Sequence, residues 1–430
     1  MNSCDRRKFI KLLGGSGLAL ASINPFSALA QGSSPAARIV VVGGGFGGAT
    51  CAKYLSMFDP GLSITLITAT PRFTTCPFSN AVLSGMRDLD SISHGYHAQV
   101  KRGINVVHDK VTEIDAAAKK LTLAEGKTIE YDRLVLAPGI DFRWEDVDGM
   151  NAADAEVIPH AWQGGPQTTV LRDQLLAMKD GGTFIIAPPD NPFRCPPGPY
   201  ERVSLVAHYL QQHKPKSKIL ILDAKAKFSK QPLFMQAWEQ LYPGMIEWVS
   251  GDSGGRVDQI DVKNKTIHSE SGDKHKGDVI NFIPPQKAAA IVAKAGLTNS
   301  DGWSPVNQRT FESTMQPGIH IIGDASIAGK MPKSGFAANS QGKVCAAAIV
   351  SAVHGNKMPD PSYVNTCYSL VSPDYGISVA AVYRYSDEKG IYKVEGSGGV
   401  SPKDADANFR NQEARYAKGW YDSIISDSFG

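Results

Sequence analysis

A cysteine close to prolines and a glutamate soon after it make the segment 191–202, N-P-F-R-C-P-P-G-P-Y-E-R, a candidate for chemistry. Cys195 carries the thiol that could react, and the two prolines that follow it stiffen the turn. Arg194 beside it is expected to lower the pKa of that thiol. Glu201, six residues later, is placed to give or take a proton. These residue types indicate thiol–disulfide chemistry assisted by an acid/base group.

A partner for this thiol has to come from the other cysteines, of which the chain has six in all. Cys367, in Y-V-N-T-C-Y-S, is a plausible partner for Cys195, although spacing alone leaves a structural disulfide or two unpaired thiols equally open. Cys76 then remains as an odd cysteine that needs its own explanation. The remaining cysteines fall in a leader-like segment or in segments where thiols usually serve as small buried side chains: Cys4, Cys51 and Cys345.

A glycine-rich turn follows a β-branched run in A-R-I-V-V-V-G-G-G-F-G-G-A-T. Its G-x-G-x-x-G spacing uses Gly43 for the tight turn, Gly45 for close approach to a pyrophosphate and Gly48 for helix–strand packing. The following helix would offer free N–H groups to the phosphates. An acidic residue usually stands about twenty positions later to hold the ribose. Thr68 ends the second strand instead, so we predict a dinucleotide site whose ribose is held by an uncharged hydroxyl.

A second nucleotide-related pattern ends at Asp324, in T-M-Q-P-G-I-H-I-I-G-D. A strand that ends in Gly-Asp before a helix is similar to the second fingerprint of flavoproteins that bind two dinucleotides. In those proteins the aspartate holds the ribityl chain of FAD, and the helix N-terminus stabilises negative charge on the reduced flavin. The alternative is an aspartate that caps a surface turn. The pattern favours FAD as the cofactor.

The order of strand-like and helix-like segments predicts an α/β chain with two Rossmann-like three-layer units of the FAD/NAD(P) type and a smaller C-terminal α+β interface domain. The second unit has no G-x-G-x-x-G turn, and Pro188 and Pro189 remove backbone donors where a pyrophosphate would need them. We therefore predict that its nicotinamide site is lost. The predicted segments are a signal peptide (1–30), a first FAD-binding part (36–145), an NAD-like domain without the nicotinamide fingerprint (146–290), a second FAD-binding part (291–357) and the interface domain (358–430).

The first thirty residues have the order of features expected of an export signal. D-R-R-K-F-I-K is a twin-arginine pattern, and it precedes a short apolar run and an A-L-A end. The alternative is a basic N-terminus without a targeting role. This segment holds four of the 45 basic residues and one of the 42 acidic ones, so the remainder is neutral and nothing indicates a polyanionic partner. We expect a periplasmic protein without a transmembrane segment, exported by the twin-arginine route.

Nine stretches add to these features: V-V-V-G-G-G-F-G-G-A-T, T-T-C-P-F-S-N, H-G-Y, P-H-A-W, F-R-C-P-P-G-P-Y-E-R, M-P-K-S-G-F-A-A-N-S-Q-G-K-V, N-T-C-Y-S, Y-G-I-S-V-A-A-V-Y-R and W-Y-D-S-I-I-S-D-S-F-G. Taken together, they resemble the flavoprotein subunit of flavocytochrome c sulfide dehydrogenase over essentially the whole chain after residue 30. The resemblance implies a thioether from Cys76 to the flavin 8α carbon and a redox disulfide between Cys195 and Cys367. It also implies that Glu201 is the base and that Trp420 is the aromatic residue near the flavin.

The resemblance implies an enzyme in which sulfide attacks the disulfide, and two electrons pass to covalent FAD and then singly to a c-type cytochrome subunit. Haem c would belong to that subunit, because this chain has no C-x-x-C-H. A sulfide:quinone oxidoreductase is the nearest alternative, but the short tail with its two acids does not favour the amphipathic anchor it would need. A thiol-binding or electron-transfer module without turnover is the alternative of another class. No His/Cys spacing indicates a metal site.

Overall fold

The described part of the chain contains both helices and strands, and strands are the more numerous. A computed structural model describes residues 35–430, so the predicted signal peptide, 1–30, lies outside the described residues. The helices of the described part are, in chain order, α1 (Phe46–Phe58), α2 (Ser79–Leu83), α3 (His97–Lys101), α4 (Pro166–Ala177), α5 (Gly198–His213), α6 (Gln231–Leu241), α7 (Ala290–Lys294), α8 (Gly335–Val353) and α9 (Ala407–Phe429). The strands are β1 (Arg38–Val42), β2 (Ser63–Thr68), β3 (Arg72–Thr74), β4 (Ser93–Gly95), β5 (Asn105–His108), β6 (Val111–Asp115), β7 (Lys120–Leu123), β8 (Thr128–Glu130), β9 (Arg133–Leu136), β10 (Ile140–Phe142), β11 (Thr183–Ala187), β12 (Lys218–Leu222), β13 (Ile246–Val249), β14 (Val257–Asp261), β15 (Thr266–Ser269), β16 (Lys274–Lys276), β17 (Val279–Phe282), β18 (Gln286–Ala288), β19 (Ile319–Ile321), β20 (Ser362–Ser372), β21 (Tyr375–Ser386), β22 (Gly390–Lys393) and β23 (Gly399–Val400).

A five-stranded parallel sheet carries the first glycine-rich turn. Its order is β19-β9-β1-β2-β5, and every residue of β1 after Arg38 is buried. Runs of β-branched residues that are buried on both faces are typical of parallel strands between helices. The pairing of β19 with β9 brings a segment from the predicted second FAD-binding part into the same sheet as the first. Two segments far apart in the chain therefore complete one Rossmann-like unit.

A four-stranded parallel sheet, in the order β13-β12-β11-β17, forms the second α/β unit. The chain leaves β11 through Pro188 and Pro189 and passes Cys195 before α5 begins. Open α/β sheets place their ligands at this carboxyl edge of the strands. The prediction of two Rossmann-like units is confirmed, and the strand-to-helix turn of the second unit presents a cysteine in place of glycines. β10 and β18 pair antiparallel where the chain leaves and re-enters the first unit.

The C-terminal segment folds as an antiparallel sheet covered by a long helix. β20 pairs with β21 along almost its whole length, and β22 and β23 add to β21. α9 packs tightly on this sheet, since a Cβ added to Gly376 would lie 2.5 Å from the backbone nitrogen of Ala414. The predicted α+β unit is thus confirmed, whereas the domain boundaries stay predictions. None of the helices in residues 35–430 combines the length and apolar character that crossing a bilayer requires.

Replacing Gly48 with alanine is expected to destabilise the first unit. A Cβ at this position would lie 1.9 Å from the carbonyl oxygen of Gly43, inside the turn, so backbone would have to move. Overpacking of this kind costs about 1–3 kcal/mol of unfolding free energy. Chemical unfolding of both proteins measures the difference. Gly419→Ala is the matched control, because Gly419 lies inside α9 with nothing within 4 Å of an added Cβ. The free energy of unfolding of that variant should rise by about 0.5–1 kcal/mol. An equal loss of unfolding free energy in both variants would contradict the packing argument.

Candidate functional site

A cavity of about 460 Å³ brings together the two fingerprints and the cysteines that the sequence analysis singled out. Gly48 does not line it, because it packs against the turn at Gly43 instead. The residues predicted for the site that do line it are Gly43, Gly45, Thr68, Cys76, Cys195, Glu201, Asp324, Cys367 and Trp420. The fold therefore gathers these side chains, and their individual roles stay predictions.

The first fingerprint has the geometry of an anion-binding turn. α1 begins after Gly45, and among the described residues no side chain caps its N-terminus. The unpaired N–H groups and the helix dipole at such an end favour a phosphate. The turn also lies close to other residues: a Cβ at Gly44 would be 2.2 Å from the Tyr96 hydroxyl, and one at Gly45 would be 3.3 Å from the Phe73 ring. A side chain therefore has no room at Gly44, and one at Gly45 would press on the Phe73 ring.

Asp324 supplies an acceptor that no group in residues 35–430 uses. Its Oδ1 is buried and has no hydrogen-bond partner within residues 35–430, and burial raises its pKa. An unsatisfied buried acceptor is costly unless a ligand completes it, so this aspartate fits a hydroxyl of a ribityl chain. Thr68 is different, because its hydroxyl already bonds to the Tyr96 hydroxyl and to the carbonyl of Thr70, both at 3.2 Å. The residues present fit FAD. The Thr68 hydroxyl, however, is already hydrogen-bonded to other protein groups.

Cys195 is held in an unusual backbone conformation at the start of α5. Its φ angle is 58°, in the left-handed region that non-glycine residues rarely adopt. Two hydrogen bonds fix it there: its N–H donates to the carbonyl of Lys333, and its carbonyl accepts from the N–H of Gly198, both at 2.8 Å. A Cβ at Gly198 would lie 3.0 Å from the Cys195 Sγ. The sulfur therefore rests against the first residue of α5.

The surroundings of Cys195 raise the pKa of its thiol. Burial is the largest cause, and Cys367, Glu201 and Cys76 act in the same direction. Arg194 lowers the pKa, as predicted, but it is outweighed. The prediction that the thiol pKa would be depressed is therefore wrong, because desolvation of a thiolate costs more than one nearby cation returns. A thiol that resists ionisation is a weak nucleophile, which suits the electrophilic half of a disulfide better than an attacking group.

Cys367 lies on β20 and faces the same cavity. Its Sγ is 3.7 Å from Oδ1 of Asn365, and burial raises the pKa of its thiol while Lys230 lowers it. Cys195 and Cys367 are both thiols in the structure, so the disulfide between them stays a prediction. Cys51 and Cys345 are fully buried, which confirms the prediction that they are small core side chains.

Lys230 is a buried cation beside the thiols that the sequence analysis missed. Its Nζ donates to the Ser369 hydroxyl at 2.8 Å, and the residue is 6% exposed. Burial lowers the pKa of Lys230 to about 8, whereas Cys367 and Glu201 act to raise it. No sequence pattern marks this lysine, which precedes α6 and meets the site only through the packing of β20. It supplies positive charge where a thiolate would form.

Glu201 is a carboxyl group held by two donors in the first turn of α5. Oε1 accepts from the N–H of Leu370 at 2.9 Å, and Oε2 accepts from Nδ2 of Asn80 at 3.0 Å. Burial raises the pKa of Glu201. Asn80 is oriented in turn by Arg202, whose Nε donates to its Oδ1 at 3.0 Å. The arrangement fixes the carboxyl group and allows it to hold a proton at a higher pH than an exposed glutamate.

Cys76 follows β3 in the loop that leads to α2, and it lines the cavity. Its Sγ is 3.7 Å from the carbonyl oxygen of Trp162. A cysteine that is to be bonded to a flavin in the cavity must lie at the cavity wall, as Cys76 does. The thioether itself stays a prediction. Asn80, which holds Glu201, lies in the helix that follows. One short segment therefore contributes both the candidate tether and a contact to the candidate base.

Trp420 lines the cavity from α9. Its ring stacks on Phe336 with centroids 6.1 Å apart, and its buried Nε1 has no partner among the described residues. The neighbouring Tyr421 does not line the cavity, because its hydroxyl bonds to Thr75 at 3.0 Å and to His94 at 2.9 Å. The unpaired indole N–H is a second group, besides Asp324, that a bound cofactor could satisfy.

Left-handed backbone marks the surroundings of the site in a way that the sequence did not reveal. Residues 35–430 contain seven non-glycine residues with positive φ, and four of them are Phe78, Ala161, Cys195 and Lys230, with φ angles between 45° and 65°. Conformations of this kind cost of order 1–3 kcal/mol each and tend to cluster at functional sites. Phe78 and Cys195 line the cavity, Ala161 precedes its lining residue Trp162, and Lys230 lies behind β20. Such strain depends on surrounding packing, so no local signal predicts it.

Three stretches of the chain match models of protein families. Residues 168–284 match "Sulfide dehydrogenase [flavocytochrome c] flavoprotein chain, central". Residues 359–429 match "Flavocytochrome c sulphide dehydrogenase, flavin-binding". Residues 37–164 match "Pyridine nucleotide-disulphide oxidoreductase". The two specific models thus cover the segment with Cys195 and the segment with Cys367.

Individual relatives agree with these models. The sulfide dehydrogenase [flavocytochrome c] flavoprotein chain of Chlorobaculum thiosulfatiphilum is 64% identical over 45 residues, which are 10% of this chain and 94% of that sequence. The mitochondrial sulfide:quinone oxidoreductase of Dictyostelium discoideum is 22% identical over 82% of this chain and 78% of its own length. Among solved structures, the sulfide:quinone oxidoreductase of Aquifex aeolicus shares the fold, with a TM-score of 0.67 and 21% identity over 91% of this chain and 92% of that one. The chain belongs to the family of the flavoprotein subunit of flavocytochrome c sulfide dehydrogenase.

Proposed function

We propose that this protein oxidises sulfide through a disulfide formed by Cys195 and Cys367, and that the electrons reach FAD in the cavity and then, singly, a c-type cytochrome subunit. The observation that carries the proposal is the meeting of these two cysteines with Cys76 and Asp324 in one cavity, beside the glycine-rich turn. The relatives named for sulfide oxidation support the choice of donor. The missing nicotinamide fingerprint in the second unit argues against NAD(P)H as the donor.

The residues that would hold FAD are those whose polar groups face the cavity. The turn Gly43–Gly47 and the start of α1 would bind the pyrophosphate, and Asp324 would bind the ribityl chain. Cys76 would tether the flavin at its 8α carbon, which offsets the absence of an acidic residue at Thr68. When bound, FAD supplies a two-electron acceptor that can release its electrons one at a time. Haem c is proposed on the partner subunit.

The sulfur step conserves atoms and electrons. Hydrosulfide attacks one sulfur of the Cys195–Cys367 disulfide, so the bond between the cysteines breaks and a new sulfur–sulfur bond makes a persulfide. The other cysteine leaves as a thiolate that carries the electron pair. Lys230 lies where it stabilises that negative charge. The hydrosulfide sulfur is thereby oxidised by two electrons, which the disulfide accepts. When the thiolate and the persulfide then join through a new sulfur–sulfur bond, one proton and two electrons are released, and bound FAD would supply the acceptor for those electrons.

Glu201 handles the proton in this step. Its carboxylate takes the proton from hydrogen sulfide or from the persulfide, and the bonds from Leu370 and Asn80 keep it aimed at the cavity. A raised pKa brings a carboxyl group closer to the operating pH, where a general base works best. Arg202 acts through Asn80 and is therefore a positioning residue.

The choice of acceptor and location also belongs to the proposal. A quinone-linked enzyme would need an apolar surface for the membrane. In α9, Tyr421, Ile424 and Phe429 are buried in the fold, and the exposed large apolar side chains are Phe409 and Tyr416. The 64%-identical relative is named for a flavocytochrome, which supports a c-type cytochrome. The twin-arginine pattern and the A-L-A end in residues 1–30 support export to the periplasm.

Anaerobic titration with sulfide tests the proposed function. We expect the flavin absorbance to bleach rapidly, and a c-type cytochrome to restore it faster than a soluble quinone. A flavin that sulfide does not bleach would point to a carrier or thiol-binding module without turnover. Reoxidation by quinone, but not by the cytochrome, would support the quinone-linked alternative instead.

Replacing Lys230 with methionine is expected to slow sulfide-dependent flavin reduction about tenfold near neutral pH, the effect of one pKa unit of lost thiolate stabilisation. Because the pKa of Lys230 is lowered to about 8, the lysine is charged below that pH and neutral above it. The difference between wild type and variant should therefore shrink as pH rises through about 8. Stopped-flow rates, corrected at each pH for the hydrosulfide concentration, measure this dependence.

Two matched variants control for loss of structure. Lys230→Arg keeps the charge and should retain most of the rate at low pH. Lys227→Met removes an exposed lysine from the same loop and should leave the rate unchanged. A Lys230→Met deficit that is equal at all pH values would show that the lysine acts through packing alone.

A further inference from the structure

Arg194 keeps two donors without a partner at the cavity wall. Its Nε and Nη2 are buried and make no hydrogen bond within residues 35–430. The backbone around them is fixed, since the N–H of Arg194 donates to Oε1 of Gln286 at 2.9 Å and its carbonyl accepts from Nε1 of Trp162 at 3.1 Å. Two buried donors that lack an acceptor are unfavourable. Residues 35–430 supply no acceptor for them, so these two donors are available to an acceptor on a ligand.

The other cations that line the described cavity are already engaged. Arg72 pairs with Asp90 and donates to the carbonyl of Ser93. Arg202 is 1% exposed, and each of its three guanidinium nitrogens donates at least one hydrogen bond. Its donors go to Oδ1 of Asn80, Oδ1 of Asn281 and the carbonyls of His160 and Ala161.

Lys333, which the sequence places near the second fingerprint, is also occupied. Its Nζ donates to the carbonyls of Asp324 and Ser326 at 2.6 and 3.0 Å and lies 3.8 Å from the centre of the Trp303 ring. It does not line the cavity. Of the arginine and lysine side chains named here, Arg194 is the one whose charge is left for a ligand.

The place of Arg194 decides which part of a ligand it can reach. It immediately precedes Cys195, and its charge lowers the pKa of both the Cys195 thiol and Asp324, against the larger effect of burial. The pyrophosphate turn at Gly43–Gly47 has its own donors in α1. Arg194 therefore lies at the cysteine end of the cavity, where the electron-accepting ring of FAD would be.

We propose that the Arg194 guanidinium donates to the ring system of bound FAD and stabilises the negative charge that the ring acquires on reduction. The side chain thereby raises the reduction potential of the flavin. This inference rests on flavin binding in the cavity and does not require that sulfide is the natural donor.

The test is a spectroelectrochemical titration of the flavin in the FAD-loaded protein without sulfide. Arg194→Met should lower the equilibrium constant for two-electron reduction about tenfold, which is a midpoint about 30 mV more negative. Arg194→Gln keeps donors but loses the charge, so it should shift the midpoint in the same direction, and it serves if the methionine variant does not fold. Arg256→Met is the control, because Arg256 pairs with Asp190 and does not line the cavity.

Wild-type midpoints in both Arg194 variants would overturn the proposal. Unchanged midpoints together with a higher sulfide concentration for half-maximal bleaching would also overturn it, and would assign the guanidinium to the sulfur anion instead. A shifted midpoint in a protein that sulfide fails to bleach would support Arg194 as a flavin contact while rejecting the proposed donor. The two proposals can therefore fail separately.

Discussion

Replacing Cys195 with serine is expected to abolish sulfide-dependent flavin reduction, by about 10³-fold or more, while FAD stays bound. The serine hydroxyl cannot form a disulfide with Cys367, so hydrosulfide has no sulfur–sulfur bond to attack. Removing one member of a group that acts as a unit costs nearly as much as removing the whole group. Stopped-flow absorbance after anaerobic mixing with sulfide measures the loss, and the flavin spectrum before mixing reports bound FAD.

Controls separate the loss of chemistry from the loss of structure. Cys51→Ala removes a buried thiol that does not line the cavity, so it should reduce at the wild-type rate. Cys367→Ser should fail as Cys195→Ser does, because either change prevents the same bond. Photochemical reduction of the flavin in Cys195→Ser shows that the ring can still accept electrons. Wild-type reduction by sulfide in Cys195→Ser would rule out the disulfide route.

Replacing Cys76 with alanine is expected to change the flavin from covalently bound to extractable. In the wild type, a thioether would keep FAD with the polypeptide after acid denaturation, because unfolding does not break a carbon–sulfur bond. In the variant, unfolding destroys the contacts at the glycine-rich turn and Asp324, and all of the FAD should appear in the supernatant. Absorbance of the acid supernatant and the mass of the intact chain measure the two states.

The control for this change is Cys367→Ala, which removes another cavity cysteine and should leave the flavin attached. Cys76→Ala should also bind FAD more weakly before denaturation, because the hydroxyl of Thr68 offers no charge and is already bonded to Tyr96. Free FAD in the acid supernatant of the wild type would exclude the thioether.

Several features of the fold and site could be predicted from short stretches of sequence. The β-branched run and the glycines from Gly43 to Gly48 indicate a strand, a tight turn and a helix, because each residue type has a local backbone preference. The same reasoning identified Asp324 at the end of a strand and the proline-bounded turn at Cys195. These predictions needed only neighbouring residues, and the structure gathers them in one cavity except for Gly48, which supports the turn from behind.

The direction of the Cys195 pKa shift could not be predicted in this way. The neighbouring Arg194 suggested a lower pKa, but the side chains that bury the thiol come from distant segments and outweigh it. Lys230 and Asn80 were missed for the same reason, since each reaches Cys367 or Glu201 only through packing. Desolvation and charge pairing are sums over all neighbours in space, whichever part of the chain supplies them.

The sequence by itself determined the two Rossmann-like units, the loss of the nicotinamide glycines in the second unit and the identity of the sulfur-bearing residues. Local backbone preferences and residue chemistry are sufficient for such conclusions. Only the tertiary structure decided that β20 brings Cys367 to the cavity of Cys195, that Glu201 is held by two donors, and that Arg194 keeps its donors free. These properties depend on which segments, far apart in the sequence, pack together and exclude water from the side chains between them. Only the folded chain determines those contacts.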